Sequence, residues 1–171
     1  MILPAHGRDV LFAIASRPEF EGLCPGVEIE FWRPLRVGPG VEVVLTGLGK
    51  ANAAGAVARA LDPTRHAGMV SIGIGGALPE SGLEIGSVVV GSASIFSDEG
   101  VQTPTEFLPA ATLGFAPAVE GHEIAGDADW VRTAEGIGLR SVRIATVSVC
   151  SGTDELAWET RTRTGADAEA M

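Results

Sequence analysis

Short apolar runs and polar or glycine-rich breaks alternate along the whole chain. MILPA reads as a very short strand, and GRDVLFAIASR as a helix with Val10, Leu11, Ile14 and Ala15 on one face. VEIEFWRPL alternates like a strand, VGPG supplies turn residues, and VEVVLTGL is the next strand. KANAAGAVARAL predicts a helix of small residues able to pack closely on a sheet. GMVSIGI reads as a buried strand bounded by Gly73, Gly75 and Gly76. After the loop ALPESGLE, GSVVVGSASIF predicts a longer strand, and residues 97–126 have no clear period and read as a long excursion. DADWVRTAEGIG predicts a helix capped by aspartate, VRIATVSVC a buried strand, and TDELAWETRTR a helix with Thr153 as its N-cap. GADAEAM opens one more element.

Strands alternating with helices, with fully apolar central strands, predict an α/β fold: a mixed central sheet with helices on both faces. Ligands of such sheets bind beyond the carboxyl ends of strands, which directs attention to TGLGK, SIGIGGA and VSVCSGT. No linker or repeat divides the chain, so residues 1–171 are expected to form one domain.

Charge narrows the partners. Twelve basic residues against 22 acidic ones leave a net charge of −10, and the arginines are scattered, which argues against nucleic acid. No apolar run reaches membrane-spanning length, and the expected setting is cytoplasmic. Cys24 and Cys150 are too few for a disulfide framework, and Cys150 is expected as a buried packing thiol. His6, His66 and His122 are expected on the surface; no pair has metal-ligand spacing, and neither a metal nor another cofactor is expected.

The glycine cluster does not match a nucleotide-phosphate motif. A dinucleotide fingerprint starting at Gly73 or Gly47 would need glycine where Leu78 and Asn52 stand. A P-loop would need glycine at Val44 and a hydroxyl residue at Ala51. Gly76 leads into a loop and then a strand, so the glycines either make a tight turn or admit a ligand close to bare backbone.

The segments TGLGKANAAGAVARAL, SIGIGGALPESGLEIGSVVV, FSDEGVQTPTEFLP, TVSVCSGTDELA and GADAEAM, in that order, resemble the purine nucleoside phosphorylase and nucleosidase superfamily. DEGVQTPTEFLP and the SGT after the late strand are similar to its futalosine hydrolase branch, which removes hypoxanthine from futalosine in menaquinone biosynthesis. The resemblance implies a nucleoside phosphorylase-like fold, a small purine nucleoside as ligand, and a homo-oligomer. It places Gly73, Ile74 and Gly75 beside the ribose, near where phosphate or the attacking water sits. Ser151, Gly152 and Thr153 would border the purine, Met171 would pack between base and sugar, and Phe107 would lie near the 5′ side. Taken alone, Met171 and Phe107 read as core residues, and Ser151 and Thr153 as helix caps.

Breaking an N-glycosidic bond calls for an acid at the departing base, a carboxylate on the ribose hydroxyls and a positioned water. The resemblance assigns these tasks to three acids: one soon after the first strand, a glutamate directly after the methionine matching Met171, and an aspartate on the following strand. With MILPA as the first strand, the first slot falls between His6 and Arg8, where no acid stands, with Asp9 just beyond. The other two lie past Met171, so the fold is expected to be incomplete at its C-terminus, with a sheet edge that self-associates and with hypoxanthine released very slowly or not at all. The acids Asp98, Glu99, Asp167 and Glu169 are expected to be merely solvated. The catalytic residues are thus left unassigned. A methylthioadenosine/adenosylhomocysteine nucleosidase, a purine nucleoside phosphorylase and a noncatalytic nucleoside-binding protein are the alternatives.

Overall fold

The computed structural model describes residues 7–115 and 121–171. The chain divides into two compact units, Met1–Ile74 and Gly75–Met171. The expected strand MILPA lies outside the described residues, and His6 with it.

In the first unit, β1 (Asp9–Ile14) is followed by α1 (Arg17–Leu23), β2 (Leu35–Gly38), β3 (Val41–Leu45), α2 (Lys50–Ala60) and β4 (His66–Ile72). The sheet order is β2-β3-β1-β4, with β1 parallel to both β3 and β4 and β2 antiparallel to β3. Two-residue alternation divides the strands between two helical layers. Leu11, Ala13 and Val44 pack with Ala56 and Ala60 of α2, whereas Ile14, Val43 and Leu45 pack with Phe20 of α1. Gly55 brings α2 close to an indole: a Cβ there would stand 2.7 Å from the ring of Trp32, whose Nε1–H donates to the Thr46 carbonyl at 2.8 Å.

Two sequence expectations are corrected here. GRDVLFAIASR is not a helix: Asp9–Ile14 is the central strand β1, and the helix starts only at Arg17. A short, continuous apolar run has no periodicity that separates a strand covered on both faces from a buried helix. VEIEFWRPL is not a continuous strand either. Only Phe31 forms an isolated bridge, to Leu45, before β2 begins at Leu35. Trp32 with φ of 66° turns the chain, and Pro34 removes a ladder donor.

The second unit holds β5 (Gly76–Ala77), β6 (Val89–Phe96), β7 (Gly100–Gln102), β8 (Phe107–Pro109), β9 (Glu123–Ala125), α3 (Ala128–Gly136), β10 (Arg140–Thr146), α4 (Asp154–Thr164) and β11 (Ala168–Ala170). Its five-stranded sheet runs β5-β11-β10-β6-β9, mixing parallel and antiparallel pairs as expected. Leu78, Ile95, Ala145, Val147 and Ala166 form its core, with Ala157 of α4 against them. The excursion contains a hairpin, β7-β8, whose close pairing depends on Gly100. A Cβ there would fall 2.2 Å from the Leu108 carbonyl oxygen. GADAEAM contains β11, an interior strand rather than a tail. Among the described residues, no helix is long and apolar enough to cross a membrane.

His66 corrects a further expectation, since it is 2% exposed. Its Nδ1 accepts the Asp62 N–H at 3.0 Å, so the ring proton sits on Nε2, which lies 3.1 Å from the buried Glu42 carboxylate. Arg65 and Arg36 complete the shell around Glu42, and Arg36 also pairs with Asp9. His122 is exposed, as expected.

Candidate functional site

Within the first unit, the segment after β4 meets the start of α1. Ser16 caps α1 reciprocally: its Oγ accepts the Glu19 N–H at 3.4 Å, while Glu19 Oε2 accepts the Ser16 N–H at 2.9 Å and the hydroxyl at 2.6 Å. The other carboxylate oxygen, Oε1, accepts the Ile74 N–H at 2.8 Å. Glu19 therefore ties the helix start to the glycine turn. The same contact explains Gly73, because a Cβ at that position would stand 2.6 Å from Glu19 Oε1. Ile74 is 81% exposed; its backbone is anchored and its side chain is not.

Glu19 was missed in the sequence, yet a signal was there. S-R-P-E from Ser16 to Glu19 is a capping box with proline inside the first turn. Reading DVLFAIA as helix hid it. With the first strand at Asp9–Ile14, the position soon after that strand falls in Ser16–Glu19, not between His6 and Arg8. Arg8 is exposed and donates to the Pro63 carbonyl at 3.1 Å.

In the second unit, the loop after β10 carries Cys150, Ser151, Gly152 and Thr153. Thr153 is the N-cap of α4, accepting the Leu156 N–H at 3.3 Å. Ser151 donates its N–H to Glu169 Oε1 at 2.7 Å and its hydroxyl to Glu169 Oε2 at 2.8 Å. Glu169 itself is 5% exposed, opposite Gly76 of β5 and Ala145 of β10. A Cβ at Gly75 would stand 3.2 Å from the Glu169 carbonyl oxygen. The unit thus brings Gly75, Ser151 and Glu169 together, with Met171 two residues further on and partly exposed.

The excursion and tail acids are not simply solvated, contrary to expectation. Asp98 accepts the Ser148 N–H, and Asp167 pairs with Arg161 at 2.9 Å. Glu99 is half-buried. Burial on β11 explains Glu169: a strand edge in sequence became a strand interior once β5 paired with it. Cys150 is also corrected, being exposed rather than a packing thiol. Local desolvation and then the Glu169 carboxylate push its pKa above the usual thiol value.

Phe107 lies elsewhere within the second unit's surface. Arg163 stacks over its ring at 4.7 Å, and the two line a cleft of about 440 Å³ with Trp158 and Gln102. A second cleft of about 470 Å³ lies between the Ala77–Leu83 segment and Asp154, Ala157 and Trp158 of α4.

Residues 5–171 match the family described as the phosphorylase superfamily. The chain is 34% identical over 172 residues to the futalosine hydrolase of Streptomyces coelicolor, covering 96% of this chain and 68% of that protein. Among solved structures, a futalosine hydrolase mutant of Helicobacter pylori matches with a TM-score of 0.72 and 16% identity, covering 96% of this chain and 75% of the other. The 5′-methylthioadenosine/S-adenosylhomocysteine nucleosidase of Neisseria meningitidis, in complex with methylthio-immucillin-A, matches with a TM-score of 0.69 and 22% identity, covering 95% and 76%. These likenesses establish the nucleosidase-type fold.

Proposed function

This chain belongs to the phosphorylase superfamily, and we propose that within it the chain hydrolyses the N-glycosidic bond of futalosine, releasing hypoxanthine in menaquinone biosynthesis. The observation that carries this reading is Glu19, an acid soon after the first strand, hydrogen-bonded to the glycine turn that in this family lies beside the ribose. Gly73, Ile74 and Gly75 offer backbone close to the sugar, Ser151, Gly152 and Thr153 border the base, Met171 packs between base and sugar, and Phe107 serves the 5′ side.

In the step itself, a bond forms from the water oxygen to the anomeric carbon while the carbon–nitrogen bond breaks. The electron pair leaves with the purine, which takes up a proton from solvent, and Glu19 receives the proton that the attacking water gives up. Glu19 suits this task because Ser16 and Ile74 hold both its oxygens in place. The reading includes residues 1–171 acting as one domain of a soluble, cytoplasmic homo-oligomer. Its support is the matched span of residues 5–171 and the exposed apolar side chains of Ile85, Val88 and Val149.

The test is incubation of the purified chain with futalosine in phosphate-free buffer, following bases by chromatography. Hypoxanthine release without phosphate is expected. A strict phosphate requirement would make the chain a phosphorylase, and faster cleavage of methylthioadenosine would assign it to the other nucleosidase branch. Tight binding of the nucleoside without any cleavage would leave a noncatalytic binding protein.

A further inference from the structure

Among the described residues of the second unit, Glu169 is the only buried acid. Burying a carboxylate is costly unless donors surround it, and a neutral amide at the same place would offer one acceptor oxygen instead of two. Both Glu169 oxygens go to one residue: Oε1 takes the Ser151 N–H and Oε2 its hydroxyl. That double grip fixes the backbone and the side-chain rotamer of Ser151 at once. The Ser151 hydroxyl also lies 3.4 Å from that of Thr160, a buried residue on α4. Two residues on, Thr153 is pinned by capping α4. The turn Ser151–Thr153 is therefore held at both ends, leaving Gly152 between them.

We propose that Glu169 is a positioning residue, whose charged clamp on Ser151 sets the shape of the Ser151–Thr153 turn and thereby its affinity for a purine base. The base as occupant rests on the hydrolase reading above. The clamp itself rests on the hydrogen bonds.

The neighbouring Cys150 supplies a built-in reporter, since the Glu169 charge helps to raise its pKa. Removing the charge relieves that repulsion, so the thiol should ionise at lower pH. The experiment compares the parent chain with Glu169→Gln and Ser151→Ala, all carrying Cys24→Ser. It measures Cys150 alkylation by iodoacetamide against pH, and hypoxanthine affinity by calorimetry below the melting temperature of every variant. Glu169→Gln should shift the alkylation profile to lower pH and weaken hypoxanthine about tenfold, the scale of a lost hydrogen bond to a charged group. Ser151→Ala, which keeps the charge, should weaken the base with the alkylation profile still high.

Equal hypoxanthine affinity in parent and Glu169→Gln would overturn the proposal, even if the variant melted earlier, because a purely structural carboxylate changes stability alone. An unmoved alkylation profile in Glu169→Gln would overturn the clamp's charge. A parent chain that binds no hypoxanthine would instead defeat the hydrolase reading, and the base-affinity half of this proposal with it.

Discussion

Replacing Glu19 by glutamine should slow hypoxanthine release roughly a hundredfold or more relative to the parent chain, the usual range for a positioned acid or base. Glutamine keeps the length of the side chain but has one acceptor oxygen, so it can serve the Ser16 N–H or the Ile74 N–H and not both, at a cost of about 1–2 kcal/mol. What it cannot do is take up a proton from water. The expected signature is therefore a large fall in turnover beside a modest fall in melting temperature. Steady-state kinetics beside thermal unfolding would separate the two effects. If Glu19→Gln turned over within a few-fold of the parent, the assignment of Glu19 would be wrong and its role would be confined to capping α1.

The second large effect concerns stability. Glu42→Ala should destabilise the first unit by roughly 2–3 kcal/mol, because it strips a buried donor of its acceptor. His66 is 2% exposed and its Nδ1 is committed to the Asp62 N–H, so the Nε2–H has to point at Glu42. Removing the carboxylate leaves that N–H unpaired in the interior. Arg36 and Arg65 are about half exposed and can turn to water, so their share of the loss is small. Glu42→Gln keeps an acceptor for His66 and should cost clearly less. Urea unfolding of the three chains checks the ordering. An alanine variant within about 0.5 kcal/mol of the parent would show that the interior accommodates the unpaired imidazole.

The different outcomes for four acids show where sequence reasoning reached its limit. Glu42, Asp98, Asp167 and Glu169 are ordinary polar letters in a run, and the default for such residues is solvation. Each was instead drawn in by a partner placed there by the fold: His66 is 24 residues from Glu42, and Ser148 is 50 from Asp98. No local pattern encodes those distances. Glu19 is different, because its S-x-x-E box is local and becomes legible once β1 is placed correctly.

Most of the elements were legible. The glycine-bounded strand β4, the small-residue helix α2, the aspartate-capped helix α3 and the threonine-capped helix α4 all arise from local chemistry: periodicity, caps and breakers. The ordered segments that resemble nucleosidases were equally local, and they identified the family.

By itself, then, the sequence determined the α/β class and the family, since these depend on short-range pattern and order. Tertiary structure alone decided that DVLFAIA is a central strand, that GADAEAM is an interior one, and which carboxylates are buried. An apolar run becomes strand or helix according to the neighbours that cover it. A charged side chain becomes interior only when distant donors converge to compensate its lost water.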